Sequence, residues 1–498
     1  MKKLIQKNWI IILILAISAF LRFYNLPSHV EFLGDQGRDV RIMRDLLHGN
    51  LVFIGPQTSV GNMYLGPWFY YFMAPSLFLA NFSPVGPAAF TALLGVITVI
   101  VLYFIVLDLF KSLPVATISA LLFALSPTVI RYSIFSWNPN IMPLFALLFF
   151  WSLYRALFRS QPKLLLLASF SFIMCFNSHY LALVLLPIAL FMLIASYIST
   201  SAYIKSKPFM LWLLAAFLLF LVSLFPLVLF DIKHSGQNVS AIVKFFSERE
   251  TTVNLKFYKG LFKIPELMSL VLSSLLGAGN ILLTTLVSSA LALLWFLSFK
   301  SIKQLNSKAL ISIGIYTITS LLFLGLYKQH IYDHYFGFLF PFVFILAGLP
   351  LGLLLSHNNR LLQAASLLTL SVIIINFINH TPLLQPPVNQ ISRSQSVARF
   401  INLQSRQEPY NLALIAKQNY DPPYRYFLEL SGSPVKTITE THTSQLFVIC
   451  EPWGLDSCNP INHPFYDIAA FGWSKIDQTW EIEGVKVFRL IPNPSGSS

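Results

Sequence analysis

The sequence predicts an all-α polytopic membrane protein of about eleven transmembrane helices, followed by a small extracytoplasmic α/β domain. Three observations lead there. Of 498 residues, 56% are hydrophobic and only 11% charged, where a soluble domain carries about 25% charged residues. Apolar runs long enough to cross a bilayer recur along residues 1–380. From about Gln385 the composition turns polar and alternates between helix-like and strand-like stretches.

Met1-Lys-Lys followed by an apolar run from Trp9 to Leu21 resembles a signal peptide. No small-x-small cleavage site follows, so it reads as an uncleaved first helix starting in the cytoplasm. Candidate spans lie at 8–24, 87–110, 115–131, 140–158, 164–178, 180–198, 210–230, 276–299, 309–327, 337–356 and 361–379. Asn177-Ser-His179 divides two of these runs, and 261–275 is either a further span or an interfacial helix. The chain holds 34 basic and 20 acidic residues, a formal charge of +14. Lys2, Lys3 and Lys7, then Lys111, Arg155, Arg159, Lys163, Lys205, Lys207, Lys300, Lys303, Lys308 and Arg360 fall on one side of the expected spans. The positive-inside rule makes that side cytoplasmic, with the C-terminus and the long loops 25–86 and 231–262 outside a plasma membrane. A charge excess explained by topology leaves nucleic acid a poor partner.

The first outer loop holds the densest group of ionisable side chains in the N-terminal half, Glu31-Phe-Leu-Gly-Asp-Gln-Gly-Arg-Asp39. Charges this near lipid are costly, so a chain that keeps them usually uses them. From Asp39 to Leu47, Val40, Met43, Leu46 and Leu47 recur at helical spacing, with Arg38, Arg41, Asp45 and His48 opposite. This pattern predicts an interfacial amphipathic helix whose cationic face meets phosphate head groups, with Asp35 as its cap. Leu65-Gly-Pro-Trp-Phe-Tyr-Tyr-Phe72 reads as a second interfacial element, or as a span if it extends to Ala80.

Residues 385–498 are expected to form the appended domain. Helices at 392–404 and Pro423–Leu430 alternate with strands at Leu412–Ala416, Val435–Ile438, Leu446–Ile449 and Val485–Ile491. Cys450 and Cys458 are placed to form a disulfide if this region is extracytoplasmic, while Cys175 reads as buried packing.

Ser126-Pro127 followed by Arg131 and Trp137-Asn-Pro-Asn140 leads into one span, and His334-Tyr335 with Pro341 leads into a later one. With the acidic first loop, these stretches resemble the GT-C class of membrane glycosyltransferases over residues 1–380. The likeness is nearest to the protein-mannosyltransferase-like family 39 and the lipid A aminoarabinose transferases. It implies a GT-C-like helical bundle with an extracytoplasmic cavity. It also implies transfer of a sugar from a polyprenyl-phosphate donor to a lipid, glycan or protein acceptor. Inversion at the anomeric carbon needs a base within hydrogen-bond reach of the acceptor proton, and Asp35 is the candidate, with Asp39 as the second carboxylate. Charge gathering on the leaving phosphate calls for cations: Arg38 or Arg41 on the donor, and Arg131, Lys328, His330 and His334 on the outer face. His179 and Tyr180 are placed to touch substrate, Tyr335 belongs to the aromatic signature, and Asn138 and Asn140 suit sugar hydroxyls. Where the family often has an Asp-Glu pair this chain has Asp35-Gln36, and Asn138 and Asn140 stand where many members carry an acid. Those departures weaken the case for a divalent metal, and the sequence assigns no other cofactor.

Each candidate has a plainer reading. Asp35 caps a helix, Asp39 pairs with an Arg, Arg131 snorkels, His179 is structural, Lys328 and His330 are interfacial, and the two Asn residues turn the chain beside Pro139. Two non-enzymatic rivals also stand. A lipid-glycan flippase predicts mid-membrane charges and paired halves, neither of which is evident. A membrane-anchored glycan receptor predicts sugar binding by residues 385–498 alone.

Overall fold

Backbone groups inside a bilayer must be satisfied within the chain, so apolar runs of this length fold as helices. The computed structural model describes residues 2–58, 63–248, 252–451 and 458–493. In chain order the longer helices are α1 (Lys2–Phe23), α2 (Gly34–Leu47), α3 (Trp68–Leu79), α4 (Val85–Phe110), α5 (Leu113–Leu125) and α6 (Met142–Phe158). They continue with α7 (Leu165–Ser178), α8 (Leu185–Ile204), α9 (Lys207–Ser223), α10 (Phe257–Leu275), α11 (Ile281–Leu297), α12 (Ser307–Leu324), α13 (Phe340–Leu355) and α14 (Arg360–Asn379). The C-terminal part adds α15 (Gln390–Gln404), β1 (Tyr410–Ile415), α16 (Pro422–Leu430), β2 (Val435–Lys436), β3 (Leu446–Cys450), α17 (Tyr466–Phe471), β4 (Ser474–Ile482) and β5 (Val485–Pro492).

Among the described residues, seven helices are long and apolar enough to cross a membrane, and four shorter apolar helices coincide with the other expected spans. The expected run 115–131 breaks at Ser126-Pro127, because proline supplies no N–H to continue α5. Helix α3 has 12 residues, about 18 Å at 1.5 Å per residue, and does not bridge a core of about 30 Å.

The chain divides into two compact units. The helical unit comprises Met1–Tyr24, Leu51–Phe72 and Ala88–Pro386. Its packing depends on small residues: a Cβ on Gly348 would lie 2.2 Å from Ser119 Oγ, and one on Gly352 would lie 2.5 Å from the Val115 nitrogen. The Gly-x-x-x-Gly stripe of α13 thus lets its backbone approach α5, as membrane helices do where no hydrophobic effect drives association.

The mixed unit comprises Asn25–Asn50, Met73–Pro87 and Pro387–Ser498. Its five-stranded sheet runs β2-β1-β3-β5-β4. Strand β1 pairs parallel with β2 and β3, whereas β5 runs antiparallel to β3 and β4. Every residue of β1 and β3 is buried, as expected of central parallel strands covered on both faces. Ala413, Ile415, Val448, Phe471 and Leu490 are among the core they build. Strand β4, absent from the sequence expectation, is a mostly exposed edge strand joined to β5 through Glu483 (φ 52°) and Gly484 (φ 75°). Two successive left-handed residues suit a tight hairpin turn. Cys450 and Cys458 form a disulfide with Cα atoms 6.3 Å apart, and Cys175 is buried and free.

Candidate active site

Helix α2 begins earlier than its apolar pattern suggests. Its N-cap is Leu33 rather than Asp35, and the Leu33 N–H donates to Gln36 Oε1 at 3.0 Å. Two glycines explain how it packs. A Cβ on Gly34 would sit 2.4 Å from the Tyr420 ring, and one on Gly37 would sit 2.4 Å from the Pro423 nitrogen. The start of α2 is thereby pressed against the loop and first turn that begin α16.

That packing sets the carboxylates. Arg38 Nη1 donates to Asp35 Oδ1 at 2.9 Å, and the Tyr420 hydroxyl donates to the same oxygen. Asp35 Oδ2 has no partner among the described residues. Arg38 also places Nε and Nη2 on Asp39 Oδ1, at 3.0 and 2.8 Å. The side chain of Asp35 is 35% exposed and that of Asp39 only 1%. Of the two, only Asp35 keeps an oxygen open to an incoming group, and Asp39 holds the guanidinium that orients it. Burial and the bond to Asp35 both push the Tyr420 hydroxyl above its ordinary range, so it remains a protonated donor. The cationic face of α2 is engaged within the unit: Arg41 makes a fork onto Glu429 at 2.9 and 2.5 Å, and Arg44 reaches the same carboxylate at 3.0 Å.

A second group of candidates lies in the helical unit. The His334 ring is 4.3 Å from Trp137 and 4.6 Å from Tyr335, and His179 is 4.4 Å from Tyr335, centroid to centroid. His330 lies against Tyr332, which stacks on His334. Hydrogen bonds from Ser126 to Leu275 O (3.0 Å) and from Thr128 to Ser274 O (2.6 Å) anchor the second loop, where Arg131 is exposed. Asn138 and Asn140 spend their amide protons on the backbone, at Ser178 O (2.6 Å) and Phe135 O (3.0 Å). The Tyr180 hydroxyl donates to Tyr64 O, an oxygen that Asn238 also approaches at 3.3 Å. His179 Nδ1 accepts the Leu181 N–H at 3.1 Å, which directs its other nitrogen elsewhere. The Lys328 side chain is exposed, and its backbone N–H reaches Thr252 O at 3.0 Å.

Three residues escaped the sequence reading. Asp333 bonds Ser274 and feels the charges of Arg131 and His330, and its place directly before His334 was the available signal. Glu429 gathers Arg41 and Arg44 from far away in the chain, which no local pattern reveals. Arg22 is 1% exposed at the end of α1, with Nη1 on Ser18 Oγ (2.9 Å) and Ala124 O (3.0 Å). Among the described residues no three His, Cys, Asp or Glu side chains stand together in a metal-holding group, and no metal step is derived.

Beside His179 and Tyr180 the helical unit encloses a cavity of about 410 Å³. Its walls are largely apolar (Phe176, Leu183, Ile242, Phe246, Phe323), and His179, Tyr180 and Tyr327 contribute polar atoms.

The fold and these features define a multi-pass membrane protein with a GT-C-like helical bundle and a small C-terminal sheet domain. A family model described as dolichyl-phosphate-mannose-protein mannosyltransferase matches residues 65–225. Two solved structures of ArnT from Cupriavidus metallidurans, one bound to undecaprenyl phosphate and one in the apo state, superpose with a TM-score of 0.62. Each is 11% identical and the match covers 99% of both chains, so the likeness is one of fold: this chain has an ArnT-like fold. No curated protein sequence matches the chain.

Proposed function

We propose that this protein is an inverting membrane glycosyltransferase that moves a sugar from a polyprenyl phosphate to an acceptor. The observation that carries the reading is the apolar cavity bordered by His179, Tyr180 and Tyr327. A cavity of that lining suits an isoprenoid chain, and a few polar groups at its side suit the head group. The solved ArnT structure holding undecaprenyl phosphate and the match to a dolichyl-phosphate-mannose family model favour the same donor class.

In the reaction, Asp35 Oδ2 takes the proton from the acceptor, whose oxygen attacks the anomeric carbon. The bond from that carbon to the donor phosphate breaks, and the phosphate leaves with the electron pair. Arg131, His330 and His334 are assigned to its charge, and Arg38 and Asp39 orient the base. Lys328 is assigned to drawing the anionic donor near, and Tyr335, Asn138 and Asn140 to shaping the pocket, whereas Arg41 is spent on Glu429. The N-terminus lies in the cytoplasm and the 385–498 domain outside, a placement that the Cys450–Cys458 disulfide supports. The test is an assay of the purified chain against a panel of polyprenyl-phosphate sugars, with and without chelator. Transfer from at least one is expected. A panel with no transfer, alongside flipping of a labelled lipid-sugar in proteoliposomes, overturns the reading in favour of a transporter.

A further inference from the structure

The mixed unit encloses a cavity that the transfer reaction above does not use. Its volume is about 450 Å³, within the ~300–1,000 Å³ range of small-molecule sites. Gln390 and Arg393 of α15, Lys417 and Asn419 of the loop after β1, Tyr424 of α16 and Glu451 after β3 line it. Glu451 is buried, and its Oε1 accepts from the Tyr424 hydroxyl at 2.7 Å and from Asn419 Nδ2 at 2.9 Å. Neutral donors thus hold one oxygen of the acid. Lys417 is exposed and has no hydrogen-bond or ion-pair partner among the described residues, and Arg393 adds a second positive charge to the same wall. Two cations, side-chain amides and an aromatic ring together suit a hydroxyl-rich ring bearing one negative charge.

We propose that this cavity binds an acidic saccharide, a sugar ring carrying a carboxylate or a phosphate, as part of the acceptor. The loop that supplies Lys417 also reaches the candidate base. Asn419 Oδ1 accepts the Gly34 N–H at 2.9 Å, and the next residue, Tyr420, donates its hydroxyl to Asp35. Occupancy at Lys417 and Asn419 therefore bears on the hydrogen bond that holds Asp35. The acceptor role rests on the transferase reading, whereas binding itself does not.

Binding is measured on the full-length chain in detergent, without donor, by calorimetric titration of methyl glucuronide, glucose 1-phosphate, methyl glucoside and inorganic phosphate. One or both charged sugars are expected to bind at least tenfold more tightly than methyl glucoside and inorganic phosphate, and the preferred one identifies the charged group. Lys417→Gln, at an exposed position, should weaken the charged sugars about tenfold, through the loss of one charge-assisted hydrogen bond. Arg393→Gln should act the same way. Equal binding of methyl glucoside, binding of phosphate as tight as that of the sugars, no saturation by any probe, or indifference to Lys417→Gln overturns the proposal. Transfer by a chain that binds none of these sugars would sink this site and leave the transferase reading standing.

Discussion

Asp35 and Asp39 lie one helical turn apart and differ in what they can reach. Asp39 is sealed in the mixed unit under the Arg38 fork, whereas Asp35 keeps one oxygen unbonded and partly exposed. Arg38 is therefore a positioning residue whose loss has two consequences. Arg38→Ala removes a cation from a buried carboxylate, which typically costs ~3–5 kcal/mol, whereas Arg38→Lys keeps the charge and loses the fork. Thermal unfolding in detergent should show a marked drop for Ala and a smaller one for Lys. Equal stability of both variants with the parent would mean that the fork does not hold the site. The residue scale is also where the sequence was least legible. Asp35 stood out through its neighbours, but Tyr420 and Glu429, 385 and 388 residues from Asp35 and Arg41, join the site only through folding.

Helix α2 was visible only in part. Its apolar stripe from Val40 onward gave the period, but Gly34 and Gly37 lie ahead of that stripe and pack closely against Tyr420 and Pro423. A Cβ at position 37 meets backbone, which cannot swing aside. Gly37→Ala should therefore destabilise the mixed unit by about 1–3 kcal/mol. Gly314→Ala in α12, where a Cβ meets nothing within 4 Å, should be neutral or stabilising by ~0.4–1 kcal/mol. Unfolding midpoints of the two variants in the same detergent check the contrast, and a tolerated Gly37→Ala would mean that α2 does not pack as described. Strand β4 shows the opposite failure. Its residues are mostly polar, as suits a sheet edge, and Ile476, Trp480 and Ile482 leave only a broken alternation, so the Glu483-Gly484 turn was the clearer cue. The apolar helices were legible because lipid exposure demands the same composition along their whole length.

At the scale of the molecule, one consequence of burial is a pH limit. Burial pushes the Tyr410 hydroxyl up to about 12, and burial likewise raises those of Tyr424 and Tyr426 above their ordinary value of 10. Each group holds its proton more tightly folded than unfolded, so its contribution is intact below pH 10 and is lost as pH rises beyond it. Unfolding temperatures of the full chain should be level across neutral pH and fall above about pH 10, followed by near-ultraviolet circular dichroism. A level profile well past pH 11, about one unit above the ordinary tyrosine value, would show that these hydroxyls are not held in the folded state. The bundle and its appended sheet were foreseen because composition alone separates lipid-facing from water-facing chain. The contacts of the Lys417–Tyr420 loop with Gly34 and Asp35 could not be foreseen, since that loop acquires its neighbours only in three dimensions.

The central claim is that Asp35 removes the acceptor proton, and the most direct measurement is single-turnover transfer from a polyprenyl-phosphate sugar by Asp35→Asn and Asp35→Ala. Both variants should bind donor lipid normally and lose roughly 10²–10⁴-fold in the rate of transfer. Transfer at the parental rate by either folded variant would contradict the account.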